Sequence, residues 1–141
     1  PYTTLFRSYI SNKEFTKDVS DWIYRRREGS SEKMPDSVAL SVMKLVENYG
    51  YKRNYSGYSY LEDMKGEALL TCVKYAHNFN PDKSQNAFAY FTQIIDNAFK
   101  GYLNKERIQH DIKFKYISEE SQISKHNYNN IKLDDSSCDS E

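Results

Sequence analysis

Asp63 and Glu67 are carboxylates four residues apart, so a helix through them places both on one face. Such a pair can serve as general acid and base, dock against a partner's basic groups, or remain solvated charge. A second constellation mixes the rings of Phe88, Tyr90, Phe91, Phe99 and Tyr102 with the later cations Lys100, Lys105, Arg107, Lys113 and Lys115. An aromatic platform beside a basic stripe holds single-stranded nucleic acid, each stacked base contributing about 1–3 kcal/mol while the cations neutralise phosphates. The competing reading makes the rings core and the charges ordinary surface, although Phe88, Tyr90 and Phe91 sweep too wide an arc to enter one core together. The third group is poorer. His77 lies five residues after Cys72, a weak metal-ligand spacing with no further partner, and His110 and His126 are scattered. With no glycine-rich phosphate loop and no His-x-x-x-His pair, no catalytic residue, metal or cofactor is assigned.

These residues need helices to position them. Ser11 and Glu14 have the spacing of a capping box, and Phe15, Val19, Trp22 and Ile23 follow at helical spacing. Arg25–Arg27 and Gly29 close that helix, which is expected over Asn12–Arg27. Asp36 or Ser37 is the expected cap of a second helix, with Val38, Val42, Leu45, Val46 and Tyr49 on one face. A tyrosine-rich connector follows. Ser59 and Glu62 then form a second capping box for a helix ending near Tyr75, its apolar face made of Leu61, Met64, Ala68, Leu69, Cys72 and Val73. Asn80, Pro81 and Asp82 read as a turn, and Asn86 caps a long fourth helix continuing to about Lys115, weakened at Gly101 by about 1 kcal/mol.

The chain has 141 residues, enough for one domain. Its 20 Lys+Arg balance its 20 Asp+Glu, but basic groups prevail over residues 9–117 and acidic ones over 118–141. Apolar residues make up only 38%, while 13 tyrosines supply rings with polar tips. That combination suits half-wet surfaces awaiting a partner. No apolar run approaches the roughly 20 residues of a membrane span, and the distant Cys72 and Cys138 suggest neither a disulfide framework nor a redox motif, which fits a reducing interior. Pro1–Ser8 resembles translated sequencing-adapter sequence and is expected to stand outside the fold, with the natural start upstream of Tyr9. From Ser118 onward Ser, Asn and Asp dominate, so a disordered polar and acidic tail is expected over 118–141. The fold class is all-α, with a four-helix domain over 9–117.

The run from Asp63 through Glu67, Leu70 and Cys72 to Phe79, Asn80, Pro81 and Asp82 resembles the second conserved region of bacterial RNA polymerase sigma factors. That family carries an Asp-(x)3-Glu face, an aliphatic stretch and a Phe-Asp/Asn turn, then a helix with aromatic, aliphatic and Asn positions, here Tyr90, Ile94 and Asn97. Shorter motifs in the same order are similar to the late-transcription sigma factors of T-even-type phages. They are Tyr9–Glu14, Asp21-Trp22, Lys52-Arg53 with Ser56-Gly57-Tyr58, Ala87 with Ala89-Tyr90 and Thr92-Gln93, Asn97–Phe99, and Lys105–Arg107. The likeness spans about residues 9–116.

The resemblance implies an adaptor rather than a catalyst. Asp63 and Glu67 would meet the β′ clamp coiled-coil of bacterial core RNA polymerase, with Met64 and Leu70 as apolar contacts. Gly66 departs from the glutamine often found there. The following helix would hold the non-template single strand of a short A·T-rich promoter element. Tyr90 would take the aromatic position, with Gln93, Ile94 and Asn97 beside it and Lys100, Lys105 and Arg107 on the backbone. Gln93 and Ile94 stand where primary sigma factors carry a tryptophan pair, so strand opening would draw on the weak stacking of A·T steps or on a phage co-activator. Ile131 and Leu133 alone stand for the hydrophobic-acidic sliding-clamp motif of such factors, so clamp binding is not assigned. The implied place of action is the cytoplasm of an infected bacterium. The alternative is a helical polymerase-binding co-activator or inhibitor without DNA specificity.

Overall fold

A computed structural model describes residues 10–135 apart from Arg53, with side chains described as far as Tyr128. The secondary structure is all-α, as the periodicities predict. Helix α1 spans Asn12–Arg27, α2 Asp36–Gly50, α3 Leu61–Tyr75 and α4 Ala87–Asp135, with a 3-10 turn at Ala76–Asn78. No strand occurs among the described residues. The chain divides into two units, Pro1–Tyr102 and Leu103–Glu141. The expectations for Pro1–Ser8 fall outside the described residues.

In the first unit, α1 begins and ends where its local chemistry dictates. The Glu14 amide donates to Ser11 Oγ at 3.5 Å, and Gly29 takes the positive φ of 98° that a helix-terminating residue needs. The core gathers one face from each helix: Phe15, Val19, Trp22 and Ile23 from α1; Val38, Val42, Leu45 and Val46 from α2; Met64, Ala68 and Cys72 from α3; Phe91, Ile95 and Phe99 from α4. Edge-on rings fill its lower end, where Tyr49 and Tyr55 each stand 5.1 Å from Phe99. Cys72 is fully enclosed, and burial pushes its thiol up to about 12.

The expected caps of α2 and α3 are corrected. Pro35 occupies the cap of α2, its φ of −61° already suited to helix entry, and no side chain caps the helix. Asp36 instead lies in the first turn, where its charge meets the positive end of the helix dipole. Helix α3 starts after Tyr60 without a side-chain cap. Glu62 is drawn to Lys65 at 2.9 Å rather than back to Ser59, and the connector closes on itself through Tyr58 N–H to Tyr55 C=O and Leu61 N–H to Tyr58 C=O. Val73, placed on the core face by its spacing, is exposed, and Leu61 and Leu69 are half-buried.

The start of α4 is held by three side chains. The Ala87 amide donates to Thr16 Oγ1 at 3.1 Å, that of Phe88 to Asn12 Oδ1 at 3.4 Å and that of Ala89 to Asn86 Oδ1 at 2.9 Å. Thr16 in turn donates to Asn12 Oδ1 at 3.2 Å. Helix α1 therefore satisfies amides that every helix leaves open at its first turn. The preceding turn is pinned as well: Arg27 and Tyr24 both donate to the Asp82 carboxylate, at 2.6 and 2.8 Å.

In the second unit α4 runs to Asp135, well past Lys115. Residues 118–128, expected in the disordered tail, are helical and almost wholly exposed. The compositional argument counted burial, which a lone helix does not require. Its backbone satisfies itself, and adding a residue to an existing helix is far cheaper than nucleating one. Ser118 and Ser121 return their hydroxyls to the Lys115 and Ile117 carbonyls at 2.8 and 2.9 Å. The expectation for 136–141 lies outside the described residues, as do the side chains of Ile131 and Leu133.

Candidate functional site

Helix α3 separates two kinds of chemistry around its circumference. Met64, Ala68 and Cys72 point into the core, each 0% exposed. The other side presents Asp63, Glu67 and Leu70 to solvent at the spacing of one helical stripe. Leu70 is 65% exposed and Val73, beside it, 51%. Gly66 lies on the same stripe with open space where a side chain would stand, which leaves the carboxylates proud of a flat patch. Asp63 and Glu67 form no ion pair among the described residues. Of the four residues expected at a polymerase contact, three are brought together in the open. Met64 is the correction: its position one residue from Asp63 turns it inward, where the core consumes its whole side chain.

The base of this face is fixed by a buried cation. Lys65 reaches Glu47 of α2 at 3.1 Å and Glu62 at 2.9 Å with only 11% of its side chain exposed. Burial alone would lower its pKa, but the hydrogen bonds to Glu62 and Glu47 outweigh that and leave it raised. Gly50 allows this approach, since a Cβ there would lie 2.6 Å from Lys65 Cε and force the lysine aside. Lys65 thereby pairs with Glu47 and with the exposed Glu62, at the base of the face that carries Asp63 and Glu67.

A groove opens between the end of α2 and the start of α4. Its main chamber, about 450 Å³, is lined by Asn48, Tyr49 and Lys52 on one side and Phe88 and Thr92 on the other. A contiguous hollow of about 390 Å³ extends it to Gln93 and Asp96. Lys52 Nζ stands 3.9 Å from the centre of the Tyr49 ring, a cation held against an aromatic face. The Tyr49 hydroxyl donates to Asp96, which also accepts from Lys100 at 2.6 Å. The Lys100 and Tyr49 hydrogen bonds hold Asp96 below the usual carboxylate range. Tyr49 is pushed well above the ordinary phenol value, first by burial and then by its bond to Asp96. The groove thus combines a partly exposed ring at Phe88, amide side chains and an ammonium group. That set, with the Asp96 carboxylate at its far end, can accept a planar, hydrogen-bonding ligand.

The residues expected on the nucleic-acid face are placed less uniformly. Tyr90 is half-buried, packed 5.3 Å from Phe79 and edge-on to Phe91, with its hydroxyl donating to the Tyr75 carbonyl at 2.8 Å. It ties α4 to the end of α3, with the ring packed against Phe79 and Phe91 and half of the residue left in contact with solvent. Gln93 lines the groove and donates to Asn97 Oδ1 at 3.0 Å. Ile94 is half-buried, and Lys100 is committed to Asp96. Lys105 and Arg107 belong to the second unit, where both are exposed and Arg107 donates to Asn104 at 2.9 Å.

Sequence reasoning missed Asn48, Lys52, Phe88 and Thr92 as a group. Phe88 carried the available signal, as the ring left over when Phe91 and Phe99 fill the core. Among the described residues no three His, Cys, Asp or Glu side chains cluster as metal ligands, and no helix is long and apolar enough to cross a membrane. No family model matches the chain, and no curated protein matches it.

Proposed function

We propose that this chain is a sigma-type transcription adaptor of the phage late class. It binds bacterial core RNA polymerase through α3 and brings it to a short A·T-rich promoter element through the start of α4. The observation that carries the reading is the exposed stripe of Asp63, Glu67 and Leu70, turned away from a core that already has its aliphatic complement. Unpaired carboxylates steer association with a basic partner, while Leu70 and Val73 supply the apolar area that water leaves on docking. Met64 drops out of the contact set because it is enclosed.

On the DNA side the groove carries the reading better than Tyr90 does. In this reading Phe88 is the ring on which an unstacked base is laid, Asn48 and Gln93 are the hydrogen-bonding groups of the groove wall, and Lys52 is its cation. The polymerase performs the chemistry; the chain positions polymerase and promoter. The action belongs in an infected bacterial cell, with a phage co-activator as a further partner. The alternative, an adaptor without DNA specificity, draws support from the internal commitments of Tyr90 and Lys100.

The test is co-migration of the chain with purified bacterial core polymerase on a sizing column, with the Asp63→Ala/Glu67→Ala double variant alongside. The expected result is a complex whose affinity falls by at least about tenfold in the variant. A folded chain that never co-migrates with polymerases from several hosts would sink the sigma reading. Promoter-directed transcription with Phe88→Ala then separates the two adaptor readings. Loss of transcription with polymerase binding intact favours promoter recognition, and unchanged transcription favours the adaptor without it.

A further inference from the structure

The main chamber of the groove holds a carboxamide whose hydrogen-bonding direction is already set. Asn12, the first residue of α1, lines the chamber together with Phe88 and Lys52. The Phe88 amide donates to Asn12 Oδ1 at 3.4 Å. A backbone amide only donates, so the side-chain atom that meets it has to be the oxygen. The Thr16 hydroxyl accepts from the Ala87 amide at 3.1 Å and gives its own proton to the same Asn12 oxygen at 3.2 Å. Two donors therefore hold the carboxamide in one orientation. Its NH2 group has no partner among the described residues.

The other charged group of the chamber is a donor too. Lys52 carries an ammonium 3.9 Å from the centre of the Tyr49 ring, and an ammonium cannot accept. No carboxylate lines this chamber; Asp96 stands in the adjoining hollow. Asn48 and Thr92 can turn either way, so the bias of the chamber comes from Asn12 and Lys52. Asparagine reads adenine by accepting from N6 and donating to N7 at once. Asn12 has committed its oxygen to the start of α4 and cannot make that pair. Thymine instead presents the O4 carbonyl, an acceptor alone, which a carboxamide limited to donation fits.

We propose that Asn12 is the specificity-determining residue of the groove, donating through Nδ2 to the carbonyl oxygen of an unstacked thymine laid on Phe88 and discriminating against adenine. This rests on the reading of the groove as a base-holding site. The same side chain thus has two tasks: its oxygen closes the first turn of α4, and its NH2 reads the base that the turn supports. Because the oxygen is held from two directions, choosing adenine would break hydrogen bonds within the fold.

Short single-stranded DNA probes, abasic except for one central thymine or one central adenine, remove stacking between neighbouring bases. Their affinities are measured by fluorescence anisotropy with the full chain, free and bound to core polymerase, against core polymerase alone. The thymine probe should bind at least about fivefold more tightly, the worth of one net hydrogen bond. Asn12→Asp keeps an oxygen for Phe88 and Thr16 but loses the NH2, so it should melt no lower than the parent and lose the preference. Its added charge repels both backbones equally, so the ratio of the two affinities is the readout; a purely structural role would leave that ratio unchanged. Phe88→Ala tests the underlying reading and should weaken both probes. Equal binding of the two probes by the parent, tighter binding of adenine, or a preference that survives Asn12→Asp overturns the role of Asn12 while Phe88→Ala still weakens binding. Binding indifferent to Phe88→Ala, or none in either preparation, overturns the base-holding reading and this role with it.

Discussion

Residues 87–102 and residues 103–128 are both helical, yet the first stretch is held by what surrounds it and the second by its own backbone. At the start of α4, Thr16, Asn12 and Asn86 accept the first three amides, while Phe91, Ile95 and Phe99 are each at most 1% exposed. Over 103–128, large side chains such as Phe114 and Ile117 stand 69% and 61% exposed. Helical geometry alone therefore says little about stability. What matters is whether apolar area and open polar ends find partners, and the two stretches should answer mutation in opposite ways.

The largest effect is expected at Phe91. It is fully enclosed and meets Phe15 at 5.4 Å and Tyr90 edge-on at 5.4 Å. Phe91→Ala removes the ring and leaves a cavity, costing about 3–5 kcal/mol. Against the about 5–15 kcal/mol that stabilises a typical domain, that is a large fraction. Urea unfolding followed by Trp22 fluorescence should show a markedly lower midpoint. A variant as stable as the parent would mean that the rings of this core are not its main support.

Thr16→Val comes next and tests the cap rather than the packing. Valine keeps the shape but removes the acceptor of the buried Ala87 amide, at a cost of about 1–3 kcal/mol. Thr16→Ser should retain most of the bond and serve as the control. If valine and serine behave alike, the tertiary cap contributes nothing measurable, and the anchoring of α4 rests on apolar burial alone.

A smaller effect should appear on acidification. Asp96 is held below the usual carboxylate range, first by Lys100 and then by Tyr49, and Asp82 likewise by Arg27 and Tyr24. Their folded pKa values lie below the unfolded ones. The stability they confer is therefore complete above about pH 4 and is lost as pH falls through the folded values. Thermal melts of the parent should fall across that window, and Asp96→Asn should flatten the slope. An equal slope in the variant would place the acid sensitivity elsewhere.

These contrasts also explain what could be read from the sequence. The bounds of α1 were legible because Ser11, the Phe15–Ile23 periodicity and Gly29 are all local signals that agree. The Asn86 cap was legible for the same reason. Asn12 and Thr16 were not, because they reach amides 76 and 71 residues away. The Ser59–Glu62 box misled because Lys65, packed against the end of α2, competes for Glu62. At the candidate site, the outward stripe of Asp63, Glu67 and Leu70 followed from helical spacing. The inward turn of Met64 and the capture of Tyr90 depended on which neighbours the fold supplied. The groove joins residues of α2 and α4, and periodicity within one helix carries no information about such a meeting.

The smallest effect is expected at Ile117, and it sharpens the comparison most. The residue is as large an apolar group as Ile95, and both lie within the bounds of α4. Burial should decide the difference, since Ile95 is 1% exposed and Ile117 61%. Ile95→Ala should cost about 2–5 kcal/mol, whereas Ile117→Ala removes atoms already in water and should stay within about 0.5 kcal/mol. Alanine is also the better helix former, which pushes the sign slightly toward stabilisation. A drop in stability comparable with that of Ile95→Ala would show that the distal stretch is buried after all, with Ile117 facing whatever covers it.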